Sequence, residues 1–66
     1  MKVWEARKDD WLYRIEEDLP GIGFYLRGYE AGVDTFDYLQ DTQAICVRFA
    51  NEKFGVPTDA WKLIQE

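Results

Sequence analysis

Apolar and polar residues alternate along two stretches in the first half of the chain, which is the pattern of half-buried β-strands. These stretches are residues 11–17 and 22–30, and residues 2–7 form a further, shorter candidate strand. The apolar positions that share one side of the two alternating stretches are Trp11, Tyr13, Ile15, Ile22, Phe24 and Leu26. The pattern therefore predicts a three-stranded antiparallel meander over residues 2–7, 11–17 and 22–30.

Two turn signals separate these strands and predict how they pair. A Pro-Gly step follows the second strand, and a polar Lys-Asp-Asp run precedes it. Proline presets φ and glycine accepts positive φ, so both segments suit tight turns. A turn centred on Leu19 and Pro20 would pair Ile15 with Phe24, and a turn centred on Lys8 and Asp9 would pair Trp4 with Tyr13. Both pairings place the apolar residues on the same face of the sheet, as a half-buried sheet requires.

The second half of the chain has helical rather than strand-like spacing. A helix is predicted over residues 37–54, with Asp37 as the N-cap, Gln40 in the capping-box position and Gly55 as the C-cap. The apolar stripe of this helix comprises Leu39, Thr42, Cys46, Phe49, Ala50 and Phe54.

A short C-terminal helix is predicted over residues 58–65, capped by Thr58 and burying Trp61 and Ile64. The expected fold class is therefore α+β, with a β-β-β-α(-α) order and two layers, in one compact domain that spans residues 1–66. The predicted core joins the apolar face of the sheet to the stripe of the long helix.

Composition adds three constraints to this picture. Eleven of the 66 residues are aromatic, which gives a short chain enough bulk for a core without a disulfide or a metal. Cys46 is the single cysteine, so no intramolecular disulfide can form, and its place on the apolar stripe predicts a buried, unreactive thiol. The lack of a long apolar run or a signal-peptide pattern leads us to expect a cytoplasmic protein.

The residue types needed for most catalysis are missing. The chain has no histidine and no serine, which removes the Ser–His and Cys–His nucleophile systems and histidine ligands for zinc. We expect a protein that is not an enzyme and that holds no cofactor and no metal. The acidic residues that invite a search for a cation site or a basic partner are Glu16, Glu17, Asp18, Asp34, Asp37 and Asp41. Their spacing does not match an EF-hand loop, and a solvated hairpin tip and helix start explain them without any function.

The outer face of the predicted sheet is rich in arginine and tyrosine. Its candidate partner-binding residues are Arg7, Leu12, Arg14, Tyr25, Arg27 and Tyr29. One interpretation is cross-strand pairing, with arginine stems over tyrosine rings and Glu5 and Glu16 balancing the charge. Another is a protein-contact face, because tyrosine and arginine are enriched at binding hot spots. A third is stacking of single-stranded nucleic acid on the tyrosines.

These features favour a small non-catalytic protein-interaction module, acting as a homodimer through the outer face or a sheet edge, or bound to another protein. The net charge of −5 supports an alternative, an acidic immunity- or antitoxin-like inhibitor that covers a basic partner such as a nuclease. A further alternative is weak binding of single-stranded nucleic acid, although the negative charge makes nucleic acid an unfavourable partner. A membrane partner is not expected.

Overall fold

The computed structural model, which describes residues 1–66, contains one antiparallel sheet with a single helix packed on one of its faces. The elements are β1 (Val3–Lys8), β2 (Trp11–Glu17), β3 (Phe24–Glu30), β4 (Val33–Gln40), α1 (Gln43–Phe54) and β5 (Lys62–Gln65). The strand order is β4-β3-β2-β1-β5, so β4 and β5 are the two edges. The predicted α+β class is confirmed. The meander of the first three strands is also present, within a larger sheet of five strands.

Residues 33–40 form a fourth strand, so the prediction that a helix begins at Asp37 is wrong. Ala31 and Gly32 have φ angles of 50° and 81° and form a two-residue turn between Glu30 and Val33. Turns with positive φ at both central positions match the twist of antiparallel strands, and they therefore favour a hairpin. The turn brings β4 directly alongside β3.

Helix α1 begins six residues later than predicted, with Thr42 rather than Asp37 as its N-cap. The Thr42 hydroxyl accepts a hydrogen bond from the backbone N–H of Ile45 at 3.1 Å. Gln40 lies at the end of β4 and takes no part in a capping box. The predicted C-cap is confirmed: Gly55 has a φ of 74°, and its N–H donates to the carbonyl of Asn51 at 3.0 Å.

The predicted C-terminal helix over residues 58–65 is also wrong, because Lys62–Gln65 form strand β5. This strand pairs with Val3–Glu5 at the open edge of β1, so it satisfies backbone groups that a short helix would leave exposed to water. Ile64, which was expected in the core, is 51% exposed.

The observed register differs from the predicted one by two residues in both hairpins. Trp4 pairs with Ile15 rather than Tyr13, and Ile15 pairs with Leu26 rather than Phe24. The first turn therefore lies one residue later than predicted, and the second hairpin has a longer loop. Because side chains alternate with a period of two, a shift of two residues leaves every side chain on its predicted face.

The core lies between α1 and one face of the sheet, which we call the inner face. Its buried members are Ala6, Tyr13, Ile15, Leu26, Cys46, Ala50 and Val56. Besides Ile64, two residues predicted in the core are not part of it: Ile22 lies in the β2–β3 loop and is 49% exposed, and Leu39 is 51% exposed on the opposite face of β4. The burial of Cys46 is confirmed. Burial raises the pKa of its thiol to about 11, so the group stays protonated at neutral pH.

An aromatic cluster at one end of the inner face was not predicted. Phe36 of β4 stacks on Phe54 of α1 with ring centroids 4.7 Å apart, and it also contacts Trp11, Tyr13 and Tyr38. The Phe36 ring lies over its cross-strand neighbour, the buried Gly28, where any larger residue would place its Cβ.

Helix α1 covers only part of the inner face. It contacts β2, β3 and β4 but neither β1 nor β5. The segment after the helix also contributes to the core, since Val56 is fully buried and Trp61 is partly buried against it. Helix α1 is neither long enough nor apolar enough to cross a membrane.

Candidate interaction surface

The face of the sheet opposite α1, which we call the outer face, carries all six residues predicted for partner binding. The cross-strand pairs place them together: Arg7 with Leu12, Leu12 with Tyr29, and Arg14 with Arg27, while Tyr25 lies opposite Glu16. No element of the chain packs on this face. The grouping follows from the alternation of β1, β2 and β3, because each of these residues lies next in sequence to one on the inner face.

Two arginines lie directly opposite each other at the centre of the outer face. Arg14 of β2 pairs with Arg27 of β3, an arrangement that is unfavourable for like charges. Glu16 compensates by contacting both of them. One of its carboxylate oxygens accepts from Nε of Arg27 at 2.8 Å, and the other lies 3.4 Å from Nη1 of Arg14.

Further carboxylates complete the pairing of these two arginines. Glu5 of β1 accepts two hydrogen bonds from Arg14, at 2.6 and 3.0 Å. Asp34 and Asp37 of β4 lie 3.7 and 3.6 Å from Nη1 of Arg27. The hydrogen bond to Glu5 raises the pKa of Arg14, and the hydrogen bond to Glu16 raises that of Arg27, so both guanidinium groups remain charged.

The tyrosine rings of the outer face lie against the same two arginines. The guanidinium carbon of Arg14 is 5.6 Å from the ring centroid of Tyr29, and that of Arg27 is 5.3 Å from the ring centroid of Tyr25. These distances are within the range of cation–π interactions. The cross-strand pairing considered from the sequence is therefore present. A nucleobase that stacked on either ring would compete with a guanidinium group that is already ion-paired.

Charge is divided unequally between the outer face and the rest of the molecule. Strand pairing places four basic and four acidic side chains on the outer face, so this face is formally neutral. They are Arg7, Arg14, Arg27 and Lys62, with Glu5, Glu16, Asp34 and Asp37. The other four basic and nine acidic residues carry the whole net charge of −5.

The six acidic residues predicted as partner contacts fall into two separate groups. Glu16, Asp34 and Asp37 surround Arg27 on the outer face, as described above. The other three are Glu17, Asp18 and Asp41.

Glu17, Asp18 and Asp41 line one cleft of about 410 Å³ beside the β2–β3 loop. The cleft also contains the exposed side chains of Leu19 and Ile22, and no basic side chain lines it. The Glu17 carboxylate accepts the backbone N–H of Lys2 at 3.0 Å, which ties the N-terminal segment to this end of the sheet.

Sequence reasoning did not place four residues on the outer face, Asp34, Asp37, Leu39 and Lys62, and it therefore missed the ion pairs of the two aspartates with Arg27. Leu39 and Asp37 were expected on a helix, and Lys62 was expected on another. The Ala31–Gly32 step was the available signal for β4, because a tight turn there would start a new strand at Val33. From Thr35 onward, the residues of that strand alternate between exposed and partly buried positions. The short β5 offers no comparable signal.

No group of three or more acidic or cysteine side chains is arranged to hold a metal ion. Comparisons with protein-family models, with curated proteins and with solved structures found no match to this chain in any of the three.

Proposed function

We propose that this domain is a small non-catalytic protein-interaction module that forms a homodimer through its outer face. The observation that carries the proposal is the division of charge. A chain with a net charge of −5 repels its own copy over most of its surface, but the outer face is neutral and contains both signs in alternation. A twofold interface brings the same patch of each copy together, so it needs a patch that can complement itself.

The fixed side chains of the outer face support this proposal further. Arg14 and Arg27 are each held by a carboxylate and a tyrosine ring, and their side chains are about one-third or less exposed. Side chains that are ordered before contact lose less conformational entropy on binding. Tyrosine and arginine are also the residues most enriched at the centres of protein interfaces.

Exchanging Arg7 for glutamate tests the proposal. Arg7 is exposed on the outer face and makes no ion pair within 4 Å, so the Arg7→Glu substitution should leave the fold intact. It gives the face an excess of two negative charges, which two copies would have to bring together. We expect sedimentation equilibrium to show a dimer for the native chain and a weakened or absent dimer for the variant.

Arg48→Glu is the matched control, because Arg48 is exposed on α1 and the overall charge changes by the same amount. The control should dimerise as the native chain does, apart from a small loss that added salt removes. A native chain that stays monomeric at millimolar concentration would refute the homodimer. Equal loss in the two variants would show that overall charge, and not the outer face, controls association.

A second candidate function is the masking of a basic protein surface, such as a nuclease active site. The observation in its favour is the cleft with Glu17, Asp18 and Asp41, where exposed apolar side chains and three carboxylates lie together with no basic side chain among them. In this case the domain, purified from its native host, should retain a strongly basic partner that dissociates in salt. The Asp18→Asn, Asp41→Asn double variant should lose that partner, whereas Glu52→Gln, Asp59→Asn should keep it. A neutral or acidic partner would argue against this function.

A further inference from the structure

Strand β4 is an unprotected edge of the sheet. All its backbone hydrogen bonds to other strands go to β3, and none of the backbone bonds in turns and loops involves residues 33–40. The Thr35 hydroxyl donates to the carbonyl of Val33 at 3.0 Å, beside the irregularity in the β3–β4 pairing. Residues 36–40 beyond that point keep the regular pairing to β3 and leave their outward backbone groups free.

The other edge of the sheet is less suited to a further strand. β5 has only four residues, its pairing with β1 contains a bulge, and it begins with Lys62. Short edges, bulges and lysine are features that discourage strand addition. The regular part of β4 beyond its own irregularity, residues 36–40, is longer than β5 and contains no lysine. Asp34 and Asp37 share Arg27, whose Nε is already hydrogen-bonded to Glu16, so they leave an excess of negative charge at this edge.

The two sides of the β4 edge differ chemically. On the outer face the edge presents Asp37 and Leu39, with Asp34 nearby, and the two aspartates are more than half exposed. On the inner face it presents the rings of Phe36 and Tyr38. Lys53 of α1 lies 5.9 Å from the Tyr38 ring centroid, so its aliphatic stem extends the apolar surface there.

We infer that the β4 edge binds an extended segment of a basic partner protein, which joins the sheet as a sixth strand. Its side chains alternate between the two faces. Those on the outer face are lysine or arginine and meet Asp34 and Asp37, and those on the inner face are apolar and pack on Phe36 and Tyr38. A second copy of this chain is the wrong occupant, because it would add two more aspartates to the same edge. Asp34 and Asp37 also belong to the outer face, but strand addition uses the backbone edge of β4 and does not require dimerisation through that face.

A seven-residue peptide that alternates lysine and valine is the probe, and the Arg7→Glu chain is the test protein. The dimer of that variant is expected to be weakened or absent, so peptide binding to it reports on strand addition and not on outer-face dimerisation. We expect the peptide to bind in low salt and to slow hydrogen exchange at every second amide of residues 36–40, because alternate amides of an edge strand point outward. A peptide of glutamate and valine should not bind. A lysine–valine peptide with every backbone nitrogen methylated should not slow exchange, since neither of its edges can then complete the ladder.

The Asp34→Asn, Asp37→Asn double variant should bind the peptide about five times more weakly, as expected for the loss of two exposed ion pairs. Asp59→Asn, Glu66→Gln removes the same charge elsewhere and should bind as the parent does. Equal binding by the two double variants would overturn the inference, as would full binding of the methylated peptide. Two further results would overturn it. One is slowed exchange in β5, which would place the peptide at the other edge. The other is slowed exchange in β4 that rises with protein concentration when no peptide is present, which would make a second copy the occupant.

Discussion

Replacing Phe36 with alanine should lower the free energy of unfolding by about 2–3 kcal/mol, somewhat less than the cost of deleting a fully buried aromatic side chain, because Phe36 is partly buried. The Phe36 ring contacts four other aromatic rings, from β2, β4 and α1, so its loss opens a cavity where the sheet meets the helix. A domain of this length has a total stability of roughly 3–10 kcal/mol. Urea denaturation followed by tryptophan fluorescence should therefore show a large fall in the midpoint.

Leu39→Ala is the control for this substitution, because Leu39 lies on the same strand but is 51% exposed on the outer face. It should cost less than about 1 kcal/mol. A helix over residues 37–54 would instead bury Leu39 and leave Phe36 in the preceding loop. Comparable losses in the two variants, or a larger loss for Leu39→Ala, would contradict the strand assignment of residues 33–40.

Gly28→Ala should destabilise the domain by about 1–3 kcal/mol, the range found for overfilled cores. Glycine is normally a poor strand residue, and alanine at such a position would be expected to stabilise the chain slightly. Here we expect alanine to destabilise the chain instead, because the Phe36 ring occupies the space that the alanine methyl needs. The ring is held between β2 and α1, so it cannot move aside without opening the aromatic cluster.

A double-mutant cycle identifies the cause of this loss. In a Phe36→Leu background the ring is gone, and adding Gly28→Ala should then cost less than about 0.5 kcal/mol. Chemical denaturation of the four proteins gives the coupling energy between the two positions. Additive losses would show that Gly28 is required for its backbone or for another neighbour, and not for the contact with Phe36.

The first three strands were predictable because their alternation is a local signal. Errors of two residues in register changed which residues lie opposite each other, for example Arg14 with Arg27 in place of Tyr25. Such errors did not change the face on which any side chain lies. The membership of the outer face on β1, β2 and β3 could therefore be read from the sequence, although its ion pairs could not.

The secondary structure of residues 33–65 was harder to predict, because the sequence signals for β4 and for β5 are ambiguous. Leu39 fits the helical stripe that continues through Cys46 and Phe49, but the stripe crosses the boundary between β4 and α1 at Asp41. Val33, Thr35, Phe36 and Tyr38 favour a strand, and the Ala31–Gly32 turn decides between the two readings. Strand β5 is too short for periodicity, and it forms only because β1 offers an unpaired edge far away in the sequence.

The pairing of β5 with β1 joins residues that are about sixty positions apart in the sequence, whereas β1 to β4 are linked by short local turns. Closing so long a loop carries a larger entropic cost than closing a hairpin, so the pairing should follow the formation of the meander. During synthesis on a ribosome, β5 also emerges after every other element. Until then, the edge of β1 at Val3–Glu5 is open in a nascent chain whose other hairpins can already be complete.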